Sequence, residues 1–371
     1  MKLAIIGTSI GQKALYEKAA ELGHDVISFA NSKGVVPAKL LATFYPISIL
    51  EIDRIVEVCR KENVHGVVTN GSTLTAKVAA TVAAKLGLHC TNPAALNCIL
   101  NKRFVRDHTN DIAGLQPVNY FMYAGVAPTR YPCVVKPISG GGKKGVSLAQ
   151  DHASFDAAVN YAAGDVEVMV EDYVEGAEVS VESISFEGRH QVIQITDKVS
   201  TGAPHFVELA HHQPSRLPDE VKQKIRRLLP EILNRIGFEN GPSHTEMKIT
   251  SGGEIALVEV NPRGGGDEIS STLVGLSTDY DYVKGMIDVA LGVFERPVVH
   301  DVAFSGICYV CAHSKAWLSV YESADTQPWF VRRSGPMPLS ALTTAIGNND
   351  RDAFFIYRSP EPLNLQLEWP A

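Results

Sequence analysis

The stretch Ile255-Ala-Leu-Val-Glu-Val-Asn-Pro-Arg-Gly-Gly-Gly266 constrains the fold most, because its polar residues recur at every second position and it stops on Pro-Arg-Gly. Side chains two apart on a strand point the same way, so Glu259, Asn261 and Arg263 are expected on one face and Val258 and Val260 in the core. Upstream, Ser243-His-Thr-Glu-Met-Lys-Ile249 repeats the alternation, and Ser251-Gly-Gly253 supplies a hairpin turn between the two strands. Folding that hairpin brings Glu246 towards Glu259. Two carboxylates on one face repel unless a cation sits between them, and hard oxygen ligands suit Mg2+, which commonly bridges to phosphate oxygens. Glu246, Glu259 and Asn261 are therefore candidate metal ligands. His244 has the parity of Glu246 and reads as a packing residue. Taken alone, such a hairpin is equally well explained as a solvated polar face.

A second element tips the balance. Tyr131-Pro-Cys-Val-Val-Lys-Pro-Ile-Ser-Gly-Gly-Gly-Lys-Lys-Gly-Val146 reads as a β-branched strand that delivers Lys136 and then a glycine run flanked by Lys143 and Lys144. Glycines let backbone N–H groups approach an anion closely, and the lysines add charge. The Gly-Lys-Ser/Thr ending and following helix of a Walker A loop are missing. A third element, Val168-Met-Val-Glu-Asp-Tyr-Val-Glu-Gly-Ala-Glu-Val-Ser-Val-Glu182, runs from an apolar strand through an acidic hinge into an alternating strand. Such a hinge offers backbone polar groups to an adenine edge, with an acid beyond it for ribose hydroxyls.

In this order and approximate spacing the three elements resemble the ATP-grasp superfamily, most nearly its carboxylate–amine ligases of the L-amino acid ligase type. The likeness covers most of residues 90 to 295. It implies that Lys102 and Lys136 bind nucleotide, that the loop containing Ser139, Gly140, Gly141, Gly142, Lys144 and Gly145 closes over the β- and γ-phosphates, and that Glu171 and the Val174 backbone meet adenine. Glu178 would take the ribose, and Glu246, Glu259 and Asn261 would hold Mg2+, with Mn2+ able to replace it. Lys136 and Arg263 would act in catalysis, Arg263 on the phosphoryl group and acyl intermediate. The loop is richer in glycine and lysine than the commoner Ser-containing form.

The implied reaction is ATP-dependent amide formation from a small carboxylic acid or amino acid and an amine, through an acylphosphate, with release of ADP and phosphate. Two alternatives keep the fold or the ligand: an enzyme activating bicarbonate or formate, and a nucleotide-binding regulator without chemistry. For the acceptor, Thr201-Gly-Ala-Pro-His-Phe-Val-Glu-Leu-Ala-His-His-Gln-Pro-Ser215 offers His205, Glu208 and His211, although such a loop is often a plain connection. Gly265 and Gly266, with Asp267 and Ser270 beyond them, are further candidates for that pocket.

Residues 1 to 95 alternate strand and helix: Leu3–Ile6, Gln12–Leu22, Val26–Phe29, Ile52–Glu62, Gly66–Thr69 and Thr73–Leu86. This predicts a parallel sheet with helices on both faces, the Rossmann-like opening unit of the α/β and α+β multidomain ATP-grasp fold. Gly7-Thr-Ser-Ile-Gly11 lacks the Gly-x-Gly-x-x-Gly spacing of a dinucleotide site, which disfavours a dehydrogenase. Residues 96–190 are expected to form the small lid domain with its linker helix, and 191–371 the large domain with a β-rich C-terminal lobe. Helices are anticipated at Pro218–Ile236 and at Asp279–Leu291, the latter capped near Ser277 or Thr278.

A net charge of −7 without a basic stripe argues against nucleic acid as a partner. The short apolar start is a buried strand rather than a signal peptide, and no run approaches membrane-spanning length. Six scattered cysteines suit a reducing, cytoplasmic setting, with Cys308-Tyr-Val-Cys311 read as strand packing. The expected partners are small-molecule carboxylates and amines, with no membrane, and a homodimer is compatible with the sequence.

Overall fold

Leu3, Ala4, Ile5 and Ile6 are all fully buried, so the first strand, β1 (Lys2–Ile6), must be covered on both faces. The computed structural model describes residues 1–371 apart from 33, 35, 42, 141–143, 165, 335–341 and 364–371. In it β1 lies between β2 (Asp25–Phe29) and β4 (Gly66–Val68), with β3 (Thr43–Tyr45) outside β2 and every neighbour parallel. Helix α1 (Lys13–Glu21) joins β1 to β2 and α2 (Ile52–Lys61) joins β3 to β4, as parallel pairing requires, and α3 (Thr73–Leu86) follows β4. The edge strand β3 is too short to have shown a period in the sequence.

Two short helices follow, α4 (Pro93–Ile99) and α5 (Lys102–Thr109), each begun by an asparagine. Asn92 Oδ1 accepts from the Ala94 amide and Asn101 Oδ1 from the Phe104 amide, satisfying N–H groups that the first turn leaves without partners. The small antiparallel sheet comes next: β5 (Tyr120–Met122), β6 (Cys133–Pro137), β7 (Ser147–Ala149) and β8 (Val168–Asp172), in the order β5-β8-β6-β7. Helix α6 (His152–Ala162) covers it, Phe155 packing with Val135 and Val170.

The chain then enters an eight-stranded antiparallel sheet. Its first members are β9 (Ala177–Phe186), β10 (Arg189–Ser200) and β11 (Glu208–Gln213). The passage from small to large sheet thus comes between Asp172 and Ala177, ahead of position 190. Helix α7 (Asp219–Arg235) turns Ile225, Leu228, Leu229, Ile232 and Leu233 inward, the three-and-four spacing of an amphipathic helix. Strands β12 (Gly241–Ile249) and β13 (Ile255–Asn261) form the anticipated hairpin.

The helix expected at Asp279–Leu291 begins at Tyr282, and a short separate helix precedes it. A π turn at Ile269–Leu273 leads into α8 (Val274–Thr278), which stops because Asp279 takes a left-handed φ of 55°. Helix α9 (Tyr282–Leu291) starts afresh, and its cap is Asp281, accepting from the Lys284 amide, rather than Ser277 or Thr278. Asp281 and Asp279 are both good cap and turn residues, and the sequence alone does not say which breaks the helix.

The C-terminal region adds β14 (Phe304–Val310), α10 (Leu318–Ser323), β15 (Phe330–Arg333) and β16 (Ala353–Ser359). These strands are hydrogen-bonded into the large sheet, whose order is β13-β12-β9-β10-β11-β14-β16-β15. Cys308 and Cys311 pack in the buried cluster that includes Trp317 and Tyr321. All six cysteines are free, and Cys98 on α4 is the exposed one. Among the described residues no helix is long and apolar enough to cross a membrane.

Candidate active site

The hairpin pairs Glu246 directly with Glu259, and His244 with Asn261. Between Glu246 and Met247 the register shifts, because Met247 faces Leu257 and Val258 is left as the extra residue. That bulge corrects the simple alternation: Val260 is in the core, but Val258 is half-buried and lines the cleft beside Glu259. Both glutamates face a cleft of about 810 Å³ between the small sheet and the hairpin.

Lys102, Arg106 and Lys136 are among the cations that line this cleft. Asn101 fixes the start of α5, and the Lys102 amide bonds to Ile138 O at the end of β6. Lys102 Nζ then lies 3.4 Å from Glu259 Oε1 and 3.5 Å from Gly140 O. One turn on, Arg106 is buried, its Nε donating to Glu171 Oε1 at 2.7 Å. Lys136 reaches the same acid from β6: Val134 pairs with Glu171 across β6 and β8, so Lys136 is the diagonal neighbour on that face. Its Nζ is 2.5 Å from Glu171 Oε2. Two cations therefore share one carboxylate. Burial pushes the Glu171 carboxyl up, but Arg106 and Lys136 outweigh it and hold the pKa down at about 2. Burial, aided by Arg106 and only partly offset by Glu171, lowers the Lys136 pKa. An anion beside Arg106 and Lys136 would meet the local excess of positive charge left there.

The connection from β8 to β9 closes one side, with Tyr173, Val174 and Glu178 on the cleft wall and Phe206 from the loop before β11 opposite. Glu171 belongs to this wall with its carboxylate turned to the two cations. Of the expected phosphate loop, Ser139 is half-buried, Gly140 and Lys144 are exposed, and Gly140 and Gly145 have φ of 122° and 77°, conformations that favour glycine. Gly141, Gly142 and Lys143 lie outside the described residues.

Lys198, on β10, was not foreseen. It is buried, with Nζ 2.7 Å from Glu178, 2.8 Å from Glu208 and 3.1 Å from Glu246. Burial disfavours its charge, yet the three acids overcome this and raise its pKa well above the ordinary lysine value. It thus joins residues expected to serve ribose, acceptor and metal. Its partners come from three different strands, so no local spacing announced it. His244 also proves more than packing: it is buried, with Nδ1 2.5 Å from Glu182 and Nε2 3.2 Å from Glu246. Burial opposes its protonation, but Glu182 foremost lifts its pKa to about 9.

Of the acceptor candidates, Glu208 and His211 come together and His205 is exposed. Asp267 joins them, 3.3 Å from His211 Nε2, and the ligand atoms of Glu208, His211 and Asp267 lie within 4.8 Å of one another. Arg351 donates to both oxygens of Asp267, at 2.8 and 2.9 Å, and Asn348 to Glu208 at 2.9 Å. With Lys198 and Arg351 present, these acids already have counter-charges. Burial alone would depress the His211 ring, and its bonds to Asp267 and Glu208 reverse that, raising the pKa. The Gly265 amide donates to Glu182 Oε2 at 2.9 Å, and around Gly266 there is open space. Arg263 bonds its neighbour Gly264 O at 2.9 Å and lines an adjoining cavity towards the amino-terminal sheet rather than the main cleft.

Residues 129–272 match the sequence pattern of the ATP-grasp domain. The chain carries an ATP-grasp domain. That domain contains Lys136, Glu171, Lys198, the hairpin and Arg263, whereas Lys102 and Arg106 precede it and Arg351 follows it.

The fold of the whole chain resembles the crystal structure of L-amino acid ligase from Bacillus licheniformis, with TM-score 0.81 and 21% identity over 97% of this chain and 93% of that one. The ADP complex of N5-carboxyaminoimidazole ribonucleotide synthetase gives TM-score 0.75 and 17% identity, covering 97% and 93%. The D-alanine–D-alanine ligase of Phocaeicola vulgatus is 28% identical over 141 residues, 36% of this chain and 43% of that protein. The chain spans less than half the length of the first curated relatives it matches.

Proposed function

We propose that this chain is an ATP-dependent carboxylate–amine ligase that joins a small carboxylic acid or amino acid to an amine and releases ADP and phosphate. The observation that carries the reading is the buried cleft in which Lys136 and Arg106 share a single acid while Glu246 and Glu259 face each other on the hairpin. Surplus positive charge next to paired acids is what a polyphosphate with a divalent cation would neutralise. The likeness to an L-amino acid ligase and a D-alanine–D-alanine ligase supports the class of bond formed.

In this reading adenosine packs against Val174 and Tyr173 with Glu178 near the ribose, and Lys102 and Lys136 meet the phosphates. The loop of Ser139, Gly140, Gly141, Gly142, Lys144 and Gly145 covers the β- and γ-phosphates. Glu246, Glu259 and Asn261 would hold Mg2+, and the donor set fits a hard divalent ion: two opposed carboxylates and an amide oxygen, with Lys102, Lys198 and His244 now occupying the acids. When bound, the ion supplies charge neutralisation on the phosphate oxygens.

The chain's own residues do the rest by positioning. The substrate carboxylate attacks the γ-phosphorus, the bond to the ADP oxygen breaks, and an acylphosphate forms; the amine then attacks the acyl carbon and phosphate leaves. Lysine and arginine side chains offset the charge in the first step, a role worth about a hundredfold or more per group. Arg263 would serve the phosphoryl group by moving from its present contact with Gly264. Glu208, His211 and Asp267, whose charge Lys198 and Arg351 balance, are assigned together with Gly265 and Gly266 to the acceptor site, where they would offer hydrogen bonds to the amino acid.

The test is phosphate release from ATP over a grid of paired amino acids. Release that needs both an acid and an amine supports the ligase. The neighbouring carboxyaminoimidazole synthetase fold keeps a second reading, activation of bicarbonate or formate, in view, and turnover with one such acid alone would favour it. Nucleotide binding without turnover under any pairing would point to a regulator. The six free cysteines accord with a cytoplasmic enzyme, and sedimentation would test for a homodimer.

A further inference from the structure

Glu182 on β9 has no exposed surface, and a carboxylate in that position needs a partner that satisfies both its oxygens. It has two. The Gly265 amide donates to Oε2 at 2.9 Å, and His244 Nδ1 lies 2.5 Å from Oε1, directly across the β9–β12 ladder. The other ring nitrogen of His244 is 3.2 Å from Glu246 Oε1, two residues along the same strand. A continuous chain of polar contacts therefore runs from the backbone of the loop after Arg263, through Glu182 and His244, to Glu246.

The loop is closely fitted to this chain. A Cβ on Gly265 would come within 2.8 Å of His244 Nδ1 and 2.9 Å of Glu182 Oε1, and one on Gly264 within 2.8 Å of both Asn70 Oδ1 and Ser270 Oγ. Only residues without side chains let the backbone amide reach Glu182 here. We propose that Glu182 and His244 are positioning residues that orient the Glu246 carboxylate for the divalent ion and link that orientation to the Gly264–Gly266 loop. The inference rests on the reading of Glu246 as a metal ligand. It goes further in giving a buried histidine a task that no ligand contact requires of it: holding the acid at one angle when the cation arrives. Carboxylate–histidine pairs behind a metal ligand commonly change affinity by about 10- to 100-fold when removed.

The test measures Mn2+ binding to the ADP complex of the full chain by electron paramagnetic resonance, and ADP binding without metal by calorimetry. For His244→Leu the expected result is an affinity for Mn2+ lower by about 10- to 100-fold, with ADP affinity within about twofold of wild type. His244→Gln, whose amide can still donate to Glu246, should recover part of the loss, which a purely structural residue would not do selectively for the metal. Should His244→Leu lack a cooperative melt, Glu182→Gln reads the same link with the side-chain volume kept. Glu246→Gln separates the two readings. If it too leaves Mn2+ binding at the wild-type level, the metal assignment falls and the link falls with it. If Glu246→Gln loses the metal while folded His244→Leu and Glu182→Gln keep it, the link alone is wrong.

Discussion

Among the described residues Glu171 is the one acid for two buried cations, so its loss should be felt in folding before catalysis. Glu171→Gln leaves Arg106 and Lys136 uncompensated and is expected to lower stability by about 3–5 kcal/mol, measured by urea unfolding. Because its folded pKa of about 2 lies below the ordinary 4.5, its contribution is complete above pH 4.5 and disappears as pH falls towards 2. His212 behaves differently. Burial foremost pushes its pKa from 6.5 down to about 3, and its Nδ1 is 2.8 Å from Tyr357 Oη. Below pH 6.5 the unfolded chain takes a proton that the folded chain refuses, so stability should fall from pH 6.5 towards 3. His212→Gln should remove that slope in denaturation curves taken across the interval. At the hairpin, Glu259→Gln is expected to cut ATP turnover by about a hundredfold or more with an unchanged melting temperature; wild-type turnover would remove the metal assignment. Glu246 and Glu259 could be picked out from the two-residue alternation of their strands, and Lys136 from the strand that leads into the glycine run. Lys198 could not, since its three acids stand on β9, β11 and β12 and only the sheet order unites them.

The β8–β9 connection and the β12–β13 hairpin place most of the cleft wall. Gly176, between β8 and β9, has a φ of 154°, and a Cβ there would meet Ile249 O at 2.2 Å. Gly176→Ala should push this connection off the end of β12, lowering the melting temperature and weakening ATP binding through Tyr173, Val174 and Glu178. An unchanged dissociation constant for ATP would show that the connection does not set the pocket. The sequence announced both elements because each alternates over several residues and ends in glycine. It did not announce the extra residue Val258, since a bulge depends on which partner faces which, nor the short α8 that the left-handed φ of Asp279 ends ahead of α9.

Across the whole molecule, the eight-stranded sheet runs unbroken from the acidic hairpin to the C-terminal strands. The lobe that the sequence left without a role reaches the residues proposed for the acceptor through Arg351, which grips Asp267 with two bonds, donates to Glu208 O at 3.0 Å and stacks 3.5 Å over the Tyr309 ring. Arg351 and Asp267 are 84 positions apart, beyond any pattern visible along the chain. Arg351→Met is therefore expected to raise the KM for the amine about tenfold or more while the KM for ATP stays put, since a buried charged bond broken on one side commonly costs about 3–5 kcal/mol locally. Equal changes in both constants would instead assign Arg351 to general stability. The arrangement of thiols has a practical corollary. Burial raises the pKa of Cys59 to about 12 and of Cys133 to about 11 and pushes that of Cys308 well above the ordinary thiol value, while Cys98 stands in solvent just ahead of Lys102. A maleimide dye offered to the native protein should settle on that single sulfur, giving a fluorescent witness to nucleotide arrival with no engineered cysteine.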